Sequence, residues 1–237
     1  MKKLAVVIAV LMLIATGSMA YAGQFGPPEP AAKEGKASLG LGYFYYSAKF
    51  KSNWGEDKAT QNQAYLQLGY GIAKNWEAYL RIGGADAKSK GLFDFDDATS
   101  DFKDSYKPFG TIGVKGVFNV SDSFGIGPFL QASLYSSYKD KKTGVVDGDT
   151  WEVTAKFKNP REINFGIGLQ GKIGDVIIYG GPVAYWTKFK AEWTGTVPGV
   201  VTETASITLK EKNNIGGFAG VRVPLGKGLS LEVEGQM

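Results

Sequence analysis

From about residue 36 onward, apolar and polar positions alternate with a period of two. In residues 163–173, Ile163, Phe165, Ile167, Leu169 and Ile173 share one face, and Glu162, Asn164, Gly166, Gly168, Gln170 and Lys172 share the other. Gly174-Asp175 then supplies a two-residue turn, and a second run of about ten residues leaves in the opposite direction, which predicts a β-hairpin. The same alternation places Leu39, Leu41, Tyr43 and Tyr45 on one face of residues 36–50. It recurs with Leu66, Leu68 and Tyr70, with Trp76, Leu80 and Ile82, and with Ile112, Val114 and Phe118. Further copies carry Phe124, Ile126, Leu130 and Leu134, then Ile215, Ala219, Val221 and Val223, and finally Leu229, Leu231 and Val233. No helical period appears after residue 22. The pattern predicts nine strands of about 8–14 residues, close to the length a tilted strand needs to cross a bilayer.

The connections alternate in length. Residues 73–75, 121–123, 174–175 and 224–228 are short turns, whereas 51–61, 86–107, 138–159 and 188–212 are long and polar. A patch at 205–209 is predicted to prolong its hairpin beyond the main sheet. Short turns at one end and long loops at the other match an outer-membrane barrel, with the long loops outside.

Charge decides which face is which. The polar face carries Glu77, Arg81, Lys115, Glu162, Lys172, Arg222, Glu232 and Glu234, four acids and four bases. An apolar sandwich core holding this set would lose several kcal/mol per unpaired ion. A narrow polar interior lets opposite charges pair and meet water. Charges facing lipid at the midplane would cost about 2–4 kcal/mol each, and the apolar face has none centrally. Tyr70, Trp76, Phe118 and Phe124 flank the short turns, and Tyr43, Tyr45 and Trp186 lie nearer the long loops, as two interfacial girdles would. The expected fold is therefore all-β: a transmembrane antiparallel up-and-down β-barrel of 8–10 strands.

The first residues read as an address. Lys2-Lys3, an apolar run from Leu4 to Ala15, and Ala20-Tyr21-Ala22 before Gly23 predict a cleaved signal peptide over residues 1–22. Residues 23–35, with Pro27, Pro28 and Pro30, are expected to be a flexible lead, and residues 36–237 the barrel domain. Without Lys2 and Lys3, 25 of the 27 basic residues remain against 23 acidic ones, so charge gives no argument for nucleic acid. The absence of cysteine excludes a disulfide scaffold. The absence of histidine removes the commonest general base and metal ligand.

SLGLGYFYYSAKF, GYGIAKNWEAYLRIGG and the repeated GIG and GGP strands resemble the small outer-membrane β-barrel superfamily of Gram-negative bacteria, which includes opacity-type adhesins and small porin-like proteins. The resemblance covers nearly all of the chain after the leader. It implies an outer-membrane location, contact with lipid and lipopolysaccharide, and delivery by the barrel assembly machinery. Such chains normally end on an aromatic residue, whereas this one ends Glu234-Gly235-Gln236-Met237. Nine strands also bring the end to the outside. A ten-stranded design lacking its last strand is expected, or else eight true strands and one edge segment.

No enzyme is expected. The outer-membrane protease, phospholipase and deacylase types use histidine. Glu232 and Glu234 share a face, but without a nucleophile they read as part of an ion network. Asp94, Asp96, Asp97, Asp101 and Asp104 lack calcium-loop spacing and read as a solvated external loop. No metal or cofactor is expected. Loop lysines such as Lys139, Lys141 and Lys142 could meet lipopolysaccharide phosphates, a generic contact for an external loop. The leading expectation is a non-enzymatic surface or small porin-like protein, its narrow lumen crowded by Tyr65, Tyr79, Arg81, Phe129 and Tyr135. The alternatives are an adhesin using residues 86–107, 138–159 and 188–212, and a soluble lipocalin-like carrier.

Overall fold

The computed structural model describes residues 24–52, 55–89, 101–146, 149–197, 201–210, 215–226 and 229–236. The expected signal peptide and the Asp94–Asp97 cluster lie outside these residues. Among the described residues the regular structure is entirely strand. β1 spans Ala37–Ser52, β2 Gly55–Ala73, β3 Trp76–Ser89, β4 Phe102–Gly116, β5 Phe118–Asn119 and β6 Phe124–Tyr135. β7 spans Tyr138–Val146, β8 Asp149–Ile173, β9 Val176–Val197, β10 Val201–Lys210, β11 Ile215–Gly226 and β12 Leu229–Gln236.

The strands form one antiparallel meander in the order β1-β2-β3-β4-β6-β8-β9-β11-β12. β5, β7 and β10 pair with β6, β8 and β9. The hairpin at residues 163–186 has the expected register, with Ile173 opposite Val176 and Gly174 at φ 60° in the turn. The sheet curls strongly. Gln63 Nε2 on β2 donates to the Tyr135 hydroxyl on β6 at 3.2 Å. In a flat sheet these strands would stand about 14 Å apart, three steps of roughly 4.8 Å.

The long connections differ from expectation. Residues 51–61, 138–159 and 188–212 were expected to be loops, but strands occupy most of them. β1 and β2 pair out to Ser52 and Gly55, and β7 and β8 to Val146 and Asp149. β9 and β10 pair out to Val197 and Val201, so the predicted prolongation at 205–209 extends along the whole hairpin. Two physical causes hid these strands. Where the exposed face is described it carries Lys139, Lys141, Thr143, Lys188 and Lys190, so composition imitates a loop. A bulge at Asn159-Pro160, where Asn159 has φ 49°, also shifts the register between Lys158 and Arg161. The bulge reverses the parity of the alternation. Above it, Ala155 and Phe157 turn inward and pack with Phe102, Tyr138 and Trp193 as a satellite core.

Candidate functional site: the interior of the curled sheet and its strap

Burial is inverted relative to a water-soluble sheet. Leu41 and Ile215 on the outer wall are 87% and 79% exposed, whereas inward-facing Glu77 and Lys115 are 0% and 3% exposed. Ile112, Leu134, Ile163, Phe165, Ile167, Leu169 and Ile173 continue the exposed apolar wall. An exception is Val176, Val221 and Val223, which bury against one another and Val233. The aromatics fall at the two ends of the wall. Tyr70, Phe118 and Phe124 are exposed at the short-turn end, where Trp76 meets Phe118 edge to face at 6.0 Å. Tyr43, Tyr45 and Trp186 are exposed at the other end.

Residues 24–35 do not form a flexible lead. They run up the interior from the short-turn end as an extended strap. Gly35 N–H donates to the Gly71 carbonyl at 2.8 Å, and Gly71 N–H donates to the Lys36 carbonyl at 3.0 Å. Ala31 N–H donates to Glu77 Oε2 at 2.5 Å, and Ala32 N–H to the same oxygen at 3.4 Å. Glu29 N–H donates to Gln170 Oε1 at 2.7 Å, and Gln170 Nε2 donates back to Glu29 Oε2 at 3.1 Å. Lys172 Nζ lies 2.6 Å from the same Glu29 carboxylate, and Arg222 Nη1 donates to the Glu29 carbonyl at 3.2 Å. Deeper inside, Phe25 and Gly26 N–H donate to Glu234 at 2.9 and 2.8 Å. Phe25 is 1% exposed and stacks into Phe129 and Phe218 at 4.3 and 5.1 Å.

The wall of the curled sheet leaves room for this strap. A Cβ at Gly71 would strike the Lys33 carbonyl, and one at Gly168 would sit 2.7 Å from the Pro28 ring. Gly26 adopts φ +73°, a left-handed conformation that glycine takes without strain, and a side chain there would press on Glu232 and Lys115.

The eight charges singled out from sequence do not form one network of acid–base pairs. Arg222 and Glu232 pair, with Nε 2.6 Å from Oε1. Lys115 lies within electrostatic reach of Arg222, Glu232, Glu77 and Arg81. Arg81 is held differently. Its Nε donates to Gln67 at 2.7 Å, and its guanidinium stacks over Tyr79 at 4.7 Å and Tyr65 at 5.1 Å. Glu77 and Glu234 hold strap N–H groups. Lys172 sits at the exposed mouth on Glu29. Glu162 stands apart, with Asn164 Nδ2 donating at 2.5 Å and no ion pair among the described residues. The two acids of β12 share the strap unequally: Glu232 pairs with Arg222 and accepts from the strap's Gln24 Nε2 at 3.4 Å, whereas Glu234 holds the strap amides of Phe25 and Gly26.

The sequence reading missed the strap, and with it the contact of inward-facing Gln170 with Glu29; it also missed Gln67 and Gln131 as the neutral partners of Arg81 and Tyr79. The available signals were Phe25, an aromatic in a proline-rich lead, and inward glycines where larger side chains would fill space.

At the outer end, Asp104 accepts from Lys139 N–H at 2.7 Å while Asp140 accepts from Lys103 N–H at 2.8 Å. These reciprocal bonds tie β4 to β7 and are structural. No acidic cluster suited to a metal occurs among the described residues. Higher up, Lys158 and Lys190 both contact Glu192, at 2.5 and 2.9 Å, and hold its carboxyl down at about 2. No family model, curated protein or solved structure matches the chain, so its own geometry carries the functional reading.

Proposed function

We propose that this chain is an integral outer-membrane β-barrel protein without enzymatic activity, its interior closed by its own N-terminal strap. The carrying observation is the inversion of burial: charge inside, an apolar wall outside. In water, an exposed Leu, Ile or Phe forfeits roughly 1.5–3 kcal/mol relative to burial. A monomer rarely exposes a contiguous apolar patch beyond a few hundred Å². Lipid removes both difficulties. The outward run from Ile173 to Ile163 also suits a membrane. Ten residues at roughly 3.3 Å, tilted by about 40°, rise about 25 Å, the height of an outer-membrane apolar band.

The filled interior favours a closed barrel over a diffusion pore. It also weighs against a lipocalin-like carrier, which needs an apolar cavity where this chain places Glu77, Arg81, Lys115 and the strap. A second reading, recognition at the cell surface, draws support from strand length. β8 has 25 residues and β9 has 22, about twice what crossing requires. Shortening the β7–β8 hairpin while retaining barrel assembly should remove such binding, and unchanged binding would reject this role.

The test of the leading reading is insertion. The full chain refolded into lipid vesicles should show heat-modifiable mobility on a detergent gel. Its strands should be protected from protease while the outer hairpins are cut. A folded protein that remains in the aqueous phase without detergent overturns the reading.

A further inference from the structure

We infer that the outward face of β8 and β9, just beyond the apolar wall, is a binding site for the phosphate groups of a membrane glycolipid in the outer leaflet. The inference rests on the outer-membrane reading above and specifies a lipid contact of that barrel.

Cross-strand register carries the argument. Ile163 stands opposite Trp186, and this pair closes the apolar wall. The next outward pair is Arg161 opposite Lys188, and the one beyond it is Lys158 opposite Lys190. Like charges placed directly opposite each other destabilise a sheet. Here the sheet does so twice in succession. The Asn159-Pro160 bulge brings the second pair onto the face. Without it, the two-residue period would send Lys158 inward, because Arg161, three positions along, points outward. Bulges commonly re-aim side chains at functional sites. Four cations thus stand in two rungs on one wall, with Glu192 as their acidic neighbour. Glu192 contacts Lys158 and Lys190, whereas Arg161 and Lys188 have no ion-pair partner among the described residues.

Position selects the ligand. An aromatic such as Trp186 at the rim of an apolar wall lies at headgroup level. Cations one rung above it meet the phosphates of lipids whose acyl chains cover Ile163 and Phe165. Arginine grips phosphate oxygens bidentately and lysine adds point charge. A phosphorylated glycolipid presents fixed phosphates on a rigid sugar, which matches a fixed two-rung cluster.

The experiment uses the full chain reconstituted in vesicles of zwitterionic phospholipid, with or without bisphosphorylated lipid A. Insertion is scored by heat-modifiable mobility, and retained lipid A by phosphorus analysis after detergent extraction. Arg161→Gln with Lys188→Gln should insert normally and retain less lipid A, by about fivefold per neutralised charge. Glu192→Gln frees Lys158 and Lys190 and should raise retention. Lys74→Gln, in the short turn at the opposite end of the sheet, should retain as much as the parent. Inorganic phosphate at millimolar concentration should not displace the lipid. Normal insertion with unchanged retention in the Arg161/Lys188 variant overturns the site and leaves the membrane reading standing. Failure of the parent chain to insert overturns both.

Discussion

At the scale of single residues, the interior carboxylates take backbone amides as partners as well as cations. A buried carboxylate needs donors, and a backbone N–H serves as well as an ammonium group. Glu77 illustrates this. Its Oε2 receives two strap N–H groups, its Oε1 has no hydrogen-bond partner among the described residues, and Gly69, diagonal to it on β2, has no side chain to crowd it. Glu77→Ala leaves two donors without a partner and should destabilise the docked strap by about 1–3 kcal/mol. Hydrogen exchange at Ala31 and Ala32 would measure the loss. Glu162→Ala, at a carboxylate that holds no strap group, should leave those amides as protected as before. Equal deprotection in both variants would show that Glu77 has no specific hold on the strap.

At the scale of elements, the outer part of the β8–β9 hairpin stands above the wall, where its stability responds to pH. Glu192 is the relevant group. Its two lysine contacts depress its carboxyl from the ordinary 4.5 to about 2. A depressed acid stabilises the folded hairpin fully above the unfolded value. That contribution declines as pH falls from about 4.5 and is lost once pH passes through about 2. A carboxylate titration by NMR should place the Glu192 midpoint well below those of free glutamates. Amide protection of Ala191 and Trp193 should fall in the same window. A midpoint near 4.5 would mean that the lysine contacts do not persist in solution. The outer hairpins also have their own small core around Phe102, Tyr138 and Ala155, which explains how strands this long stay paired beyond the main barrel.

At the scale of the whole molecule, the strap converts a curled sheet into a filled one. Phe25 joins Phe129, Tyr179, Val183, Tyr185 and Phe218 in one interior cluster, so removing residues 24–35 removes both a steric plug and part of a core. In planar bilayers the intact chain should give no steady conductance, and the chain lacking residues 24–35 should conduct. Wide, steady conductance from the intact protein would refute closure by the strap. β1 and β12 are the two edges of the strand order, and hydrocarbon offers no hydrogen-bond partners. Insertion therefore requires those edges to be paired within the membrane.

The primary sequence by itself determined the elements and their faces. A strict two-residue period with short turns leaves an antiparallel meander as the only economical arrangement, and the separation of charge from apolar side chains assigns inside and outside. Both are local properties, legible at Ile163–Ile173 without any knowledge of the fold. Three features needed tertiary structure. The strap was illegible because proline removes N–H donors and breaks periodicity, so residues 24–35 carry no pattern until the groups that receive them are in place. The partition of Glu77 and Glu234 to strap amides, and of Glu232 alone to Arg222, depends on distances across a curled sheet, which spacing along the chain does not encode. The outer hairpins were hidden because the bulge at Asn159-Pro160 inverts the period that otherwise reveals a strand. Periodicity reports how one strand meets its immediate neighbour; only the curl of the sheet decides what meets across the interior.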